Sequence, residues 1–107
     1  MAKPWFADRK GIRVAIAAGS ETVAVVAASG TVQYRLLRYS LTAGAAGAGT
    51  FQFKSGSTAI TGIRNIPNDG ALGEVFTGGE DCTAGEALNL VSTSSDLDGD
   101  VWYETIE

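Results

Sequence analysis

The residues that could do chemistry are few. Asp96, Asp98 and Asp100 stand in the alternating run DLDGD, with Glu104 beyond. Clustered carboxylates are what hard cations such as Ca²⁺ require. The spacing is not that of an EF-hand, because Gly99 is misplaced and no helical pattern flanks the run. Asp-Gly before a strand is ordinary turn chemistry, so these acids, like Asp69, Glu80 and Asp81, read first as solvated loop residues. Any cation site at Asp96, Asp98 and Asp100 would be weak. The chain has no histidine. That excludes a Ser-His-Asp triad, a Cys-His pair and a histidine zinc site.

The glycine-rich run at 43–49, AGAAGAG, lacks the Gly-Lys-Ser/Thr ending of a phosphate loop, and a strand pattern follows it. Cys82 is the single cysteine, so no disulfide forms within the chain. With no histidine and no nearby cation to lower its pKa, it reads as a small turn-edge residue rather than a reactive thiol. Paired carboxylates for glycoside hydrolysis need a cleft, and a compact domain of this length has little room for one. The expectation is a protein without catalytic, cofactor or metal residues.

The elements that would position these groups are strands. The organising stretch is 31–43, TVQYRLLRYSLTA. It is rich in β-branched, aromatic and leucine residues and is flanked by glycine. Its alternation changes phase. Val32, Tyr34 and Leu36 share one face, while Leu37, Tyr39 and Leu41 share the other. Either the strand is buried on both faces, or a bulge near Leu36-Leu37 hands it from one sheet to another. Around it lie shorter strands: Ile12 to Ile16; Val23 to Ala28, apolar on both faces and so interior; Phe51 to Lys54; Thr58 to Ile63; Leu72 to Phe76; the region of Leu88 and Leu90; and Val101 to Ile106. Thr77 to Gly85 and Ser92 to Gly99 read as polar loops. Trp102 and Tyr103 point to opposite faces, one into the core and one toward an interface or a sugar-binding surface.

About eight strands with turn signals between them, and no amphipathic helix, predict an all-β fold: a β-sandwich of jelly-roll type. The 107 residues suit a single domain. The boundaries expected are an extended N-terminal arm over 1–10 and a sandwich over 11–107. The arm carries Pro4 and the adjacent aromatics Trp5 and Phe6, whose exposure calls for a docking surface. It has no apolar core of a signal peptide, and no apolar run approaches the length of a membrane span, so neither secretion by that route nor a membrane partner is expected.

Net charge is −4, with a marked polarity along the chain. All eight basic residues lie at or before Arg64, and ten of the twelve acidic ones lie after it. This predicts pairing between the two halves, within one chain or between subunits. It disfavours nucleic acid, which the acidic half would repel.

The runs TVQYRLLRYSLTAGAAGAGTFQFKSGSTAITG and TAGEALNLVSTSSDLDGDVWYETIE resemble small virion proteins of tailed bacteriophages, of the capsid decoration (cement) type. A long strand, an Ala-Gly loop, an FKSGSTAITG-like hairpin, GEALNL and an aromatic closing strand carry the likeness over roughly 20–107. The resemblance implies a non-enzymatic protein, a homotrimer bound to the major capsid protein on the outer head surface after synthesis in the host cytoplasm. The N-terminal MAKPWFADRKG matches no pattern of the group. The interface residues expected are Trp5, Phe6, Arg9 and Lys10 in the arm, with Arg35, Arg38 and Arg64 facing acids of the C-terminal half. The alternative is a tail, fibre or receptor-binding module that recognises a host surface glycan or protein through Tyr103, Asp96 and Asp98.

Overall fold

A computed structural model describes residues 10–17, 21–94 and 96–106. Among them are nine strands: β1 (Lys10–Ile16), β2 (Glu21–Val26), β3 (Gln33–Ala43), β4 (Gly49–Ser55), β5 (Thr58–Ala59), β6 (Arg64–Ile66), β7 (Ala71–Asp81), β8 (Leu88–Ser92) and β9 (Leu97–Ile106). One sheet has the order β1-β9-β3-β7, and the other β2-β8-β4-β5 with β6 also on β4. The chain thus passes from sheet to sheet at almost every loop, and every pairing is antiparallel. This is the jelly-roll arrangement of two wrapped Greek keys. β5 and β6 together fill the place of one strand beside β4.

The core lies between the sheets. Leu36, Leu41, Phe53, Leu88, Leu90 and Val101 are among its fully buried members. Tyr39 packs edge-on to Phe51 at 5.3 Å between ring centroids and meets Phe53 at 5.2 Å. Aromatic pairs in this range add to area burial because ring edges and faces carry opposite partial charge.

β3 settles the phase problem with the bulge expected near Leu36-Leu37, but without the change of sheet expected to go with it. Its pairings with both neighbours shift register between Leu36 and Arg38, which makes Leu37 the extra residue of a bulge. The strand does not change sheet. The bulge returns Tyr39 and Leu41 to the same buried face as Tyr34 and Leu36.

Similar devices explain the other departures. The run Val23 to Ala28 is not interior: β2 is a sheet edge, and an irregularity between Ala24 and Val26 resets its face. The expected strand Thr58 to Ile63 breaks after Ala59. There the Thr61 hydroxyl takes the Phe53 N–H at 3.2 Å, and the Gln52 side chain donates to the Thr61 carbonyl at 2.9 Å. β7 runs on through much of the expected loop, because Glu80 and Asp81 re-pair with Leu36 and Arg35. β9 begins at Leu97, so Asp98 and Asp100 belong to a strand rather than a loop. Lys10 opens β1 opposite Tyr103, whereas Trp5, Phe6 and Arg9 lie outside the described residues.

Candidate functional site

The outer face of the β1-β9-β3-β7 sheet is where polar and aromatic side chains gather. Antiparallel register aligns Gly11, Trp102, Arg38 and Val75 in one row across its four strands. Trp102 leans over Gly11, where an added methyl would lie 2.7 Å from the indole Nε1. The Arg38 guanidinium stacks 4.0 Å from the indole centroid. This cation–π contact fixes a long side chain that would otherwise sample many rotamers.

A second row places Arg35 between two acids. Its Nε is 2.7 Å from Asp81 Oδ1, and its NH1 is 3.1 Å from Glu104 Oε2. Between the two rows the sheet opens. Opposite the single bulge residue Leu37, β7 inserts residues 76–79 before pairing resumes. The resulting notch measures about 390 Å³ and is lined by Leu37, Val75, Phe76 and Trp102, with Arg35, Arg38 and the Arg35-paired carboxylate of Glu104 at its sides. Val75, 75% exposed, stands at its edge. Gly78 and Gly79, both with φ of 78°, shape the remaining wall. That left-handed conformation favours glycine. At Gly79 space demands it too, since a methyl there would overlap the Arg35 side chain.

The same face continues into a polar depression of about 400 Å³ lined by Arg13, Ser40, Thr42, Asp98, Gly99 and Asp100. Arg13 grips Asp98 with two bonds, Nε to Oδ1 at 3.1 Å and NH2 to Oδ2 at 2.7 Å. That grip holds the Asp98 carboxyl below its usual range.

Three of the basic residues expected at interfaces therefore have partners within the chain. Arg35 pairs with Asp81 and Glu104, Arg64 pairs with Glu74, and Arg38 stacks on Trp102. Lys10 is exposed. The aspartates of DLDGD are not gathered. Asp98 is taken by Arg13, and the Asp96 side chain lies against Gly44 at one end of the sandwich. Among the described residues no group of three or more acids, cysteines or histidines is placed to hold a metal. Tyr103 is the inward member of its pair, 7% exposed and edge-on to Tyr34, so it is core and offers no ligand surface. Trp102 is the outward one. Cys82 is buried, and burial pushes its thiol pKa up.

Sequence reading missed the notch. Its signals were present: a phase slip at Leu36-Leu37 and a Gly-Gly pair at the start of the polar run that follows Phe76. Each reads as a bulge or turn alone. Only pairing puts them side by side.

No protein-family model matches the chain, and no curated protein matches it in sequence. Solved structures share its fold. The coat protein of Tobacco streak virus superposes with a TM-score of 0.55 at 10% identity, over 99% of this chain and 91% of that one. PirA superposes with a TM-score of 0.51 at 9% identity, over 90% of this chain and 93% of that one. The C-terminal domain of EclA, a sugar-binding protein, gives 0.50 at 10% identity, over 92% of this chain and 79% of that one.

Proposed function

We propose that this chain is a structural virion protein, a decoration (cement) protein of a tailed-phage head that binds the major capsid protein on the outer surface as a homotrimer. The observation that carries this reading is the position of β1. Among the described residues it forms the edge of its sheet, paired only with β9, and Lys10 is its first residue. Lys10 thus lies at a sheet boundary, a place from which a preceding segment could reach a neighbour without disturbing the sandwich. Ile12 supports this. It takes an inward position on β1, alternating with the buried Val14 and Ile16, yet remains 38% exposed. An apolar side chain at an open seam gains from being covered by another subunit.

In this reading Trp5, Phe6, Arg9 and Lys10 make the attachment, since bulky aromatics and arginine are the usual anchors of an interface. Arg35 and Arg64 act inside the subunit, where they hold the fold that presents the arm. A jelly roll shared with a plant-virus coat protein is compatible with a shell role, and the likeness to decoration proteins supports the narrower one. The test is co-sedimentation of the full chain, and of a variant lacking residues 1–9, with undecorated phage heads. Binding by the full chain alone supports the proposal. Equal binding by both removes the arm's role, and no binding by either removes the head assignment.

A further inference from the structure

The notch and the polar depression lie end to end on one face. Along β3 the outward residues run Arg38, Ser40, Thr42, and along β9 they run Trp102, Asp100, Asp98. Successive outward residues of a strand are about 7 Å apart, so the two hollows form one extended track.

Three properties narrow what the track takes. The first is charge. Arg38 has no carboxylate partner among the described residues, while Arg13 and Arg64 each have one and Arg35 has two. In a chain of net charge −4, a guanidinium held by stacking and without a carboxylate partner among the described residues is suited to receive an anion. Its forked donors match a carboxylate. The second is the notch itself. Its walls are mainly apolar and partly aromatic, which suits the C–H face of a ring. The third is the neighbouring depression. It offers hydroxyls from Ser40 and Thr42, the Asp100 carboxylate and a fixed Arg13–Asp98 pair. Vicinal hydroxyls donate and accept together, so they can bond to both signs of such a surface. A peptide would be served less well. The main chain of β9 and β3, which floors the track, is already paired on both sides, so an added strand would have to pair at β1 or β7, beside the track rather than over it.

We propose that this outer face binds an acidic oligosaccharide, with a hexuronate ring in the notch, its carboxylate on Arg38, and neighbouring sugar units over Ser40, Thr42 and Asp100. The proposal does not rest on the head assignment, because it is read on the isolated protein.

The experiment is calorimetric titration of the full chain with tetrasaccharides containing glucuronate, galacturonate or mannuronate, and with neutral cellotetraose of equal length. At least one acidic sugar is expected to bind, about tenfold or more tighter than the neutral one, and to weaken on adding salt. Arg38→Gln should lose about tenfold in affinity. Val75→Asp changes a side chain that is 75% exposed, so it leaves the core intact while placing a like charge at the notch. It should weaken acidic sugars by a larger factor than neutral ones. The proposal is overturned if no acidic sugar binds at about 10 mM, if neutral and acidic sugars bind equally, or if Arg38→Gln binds unchanged. It is also overturned if Val75→Asp instead dissociates an oligomer of a protein that takes up no sugar, which would make the notch a contact between copies.

Discussion

Arg64 and Glu74 close the sandwich at its edge: Arg64 Nε lies 2.6 Å from Glu74 Oε1, and NH2 lies 3.2 Å from Oε2. Arg64 belongs to β6 and Glu74 to β7, edge strands of opposite sheets. The same carboxylate accepts a hydrogen bond from the hydroxyl of Tyr39, a buried member of the aromatic cluster. One acid thus ties an edge to the core. Both partners of the ion pair keep 32% of their side-chain surface in water, which screens their attraction. The larger loss on removing Glu74 comes from the Tyr39 hydroxyl left without its acceptor. Glu74→Ala should cost about 2 kcal/mol in urea unfolding. Tyr39→Phe with Glu74→Ala should cost less than the sum of the two single changes. Additive costs would show that the bond to Tyr39 carries nothing.

The same pair sets the limits of pH stability. The Arg64 bond, and then the Tyr39 bond, hold the Glu74 carboxyl below its ordinary value of 4.5. A depressed carboxyl contributes stability that is complete above its unfolded pKa and lost as pH falls through the folded one. Burial, then Glu74, pushes the Tyr39 phenol well above its ordinary 10.0. Its contribution is complete below that value and fades as pH rises beyond it. Unfolding free energy should therefore decline below about pH 4.5 and above about pH 10. Glu74→Gln should flatten the acid limb. An acid limb of equal slope in that variant would assign the loss to other carboxylates.

The notch makes a sharp prediction about its two glycines. Gly78 and Gly79 share the same positive φ, but a methyl at Gly78 meets nothing within 4 Å, whereas at Gly79 it overlaps Arg35. Gly78→Ala should lose about 1 kcal/mol from backbone strain alone. Gly79→Ala should lose more, because it also displaces the side chain that bridges Asp81 and Glu104. Thermal melts of the two variants should fall in that order. Equal melting temperatures would mean that Arg35 moves aside at no cost.

Cys82 should be silent toward thiol reagents in the native protein. It is 2% exposed, and burial raises its pKa further than the nearby Ser55 lowers it. Thiolate is the reacting species. Modification by a disulfide reagent at pH 8 should follow global unfolding, accelerating in urea in step with loss of the fold. Rapid stoichiometric labelling without denaturant would show that the end of β7 opens locally.

The local alternation of residues by itself determined the class of fold and most of the inward faces. Period-2 patterning in TVQYRLLRYSLTA, in FQFK and in LNLV follows from strand geometry, which any strand obeys whatever its neighbours. The charge polarity likewise foretold that early arginines meet later acids, as Arg13, Arg35 and Arg64 do with Asp98, Asp81 and Glu74. DLDGDVWYE was legible as well, since leucine, valine and tyrosine alternate with acids and tryptophan, but its Asp-Gly pair argued for a turn and masked the strand. What the tertiary structure decided was register. A bulge exists only relative to a partner strand: Leu37 is an extra residue because Leu36 and Arg38 pair with consecutive residues of β9, Tyr103 and Trp102. For the same reason the inserted residues 76–79 face Leu37 and form a notch rather than a loop. Residues far apart in the chain, such as Gly11, Arg38, Val75 and Trp102, form one row only when the sheet order β1-β9-β3-β7 is known. That order is a long-range choice made by packing two apolar faces together, and no local pattern encodes it.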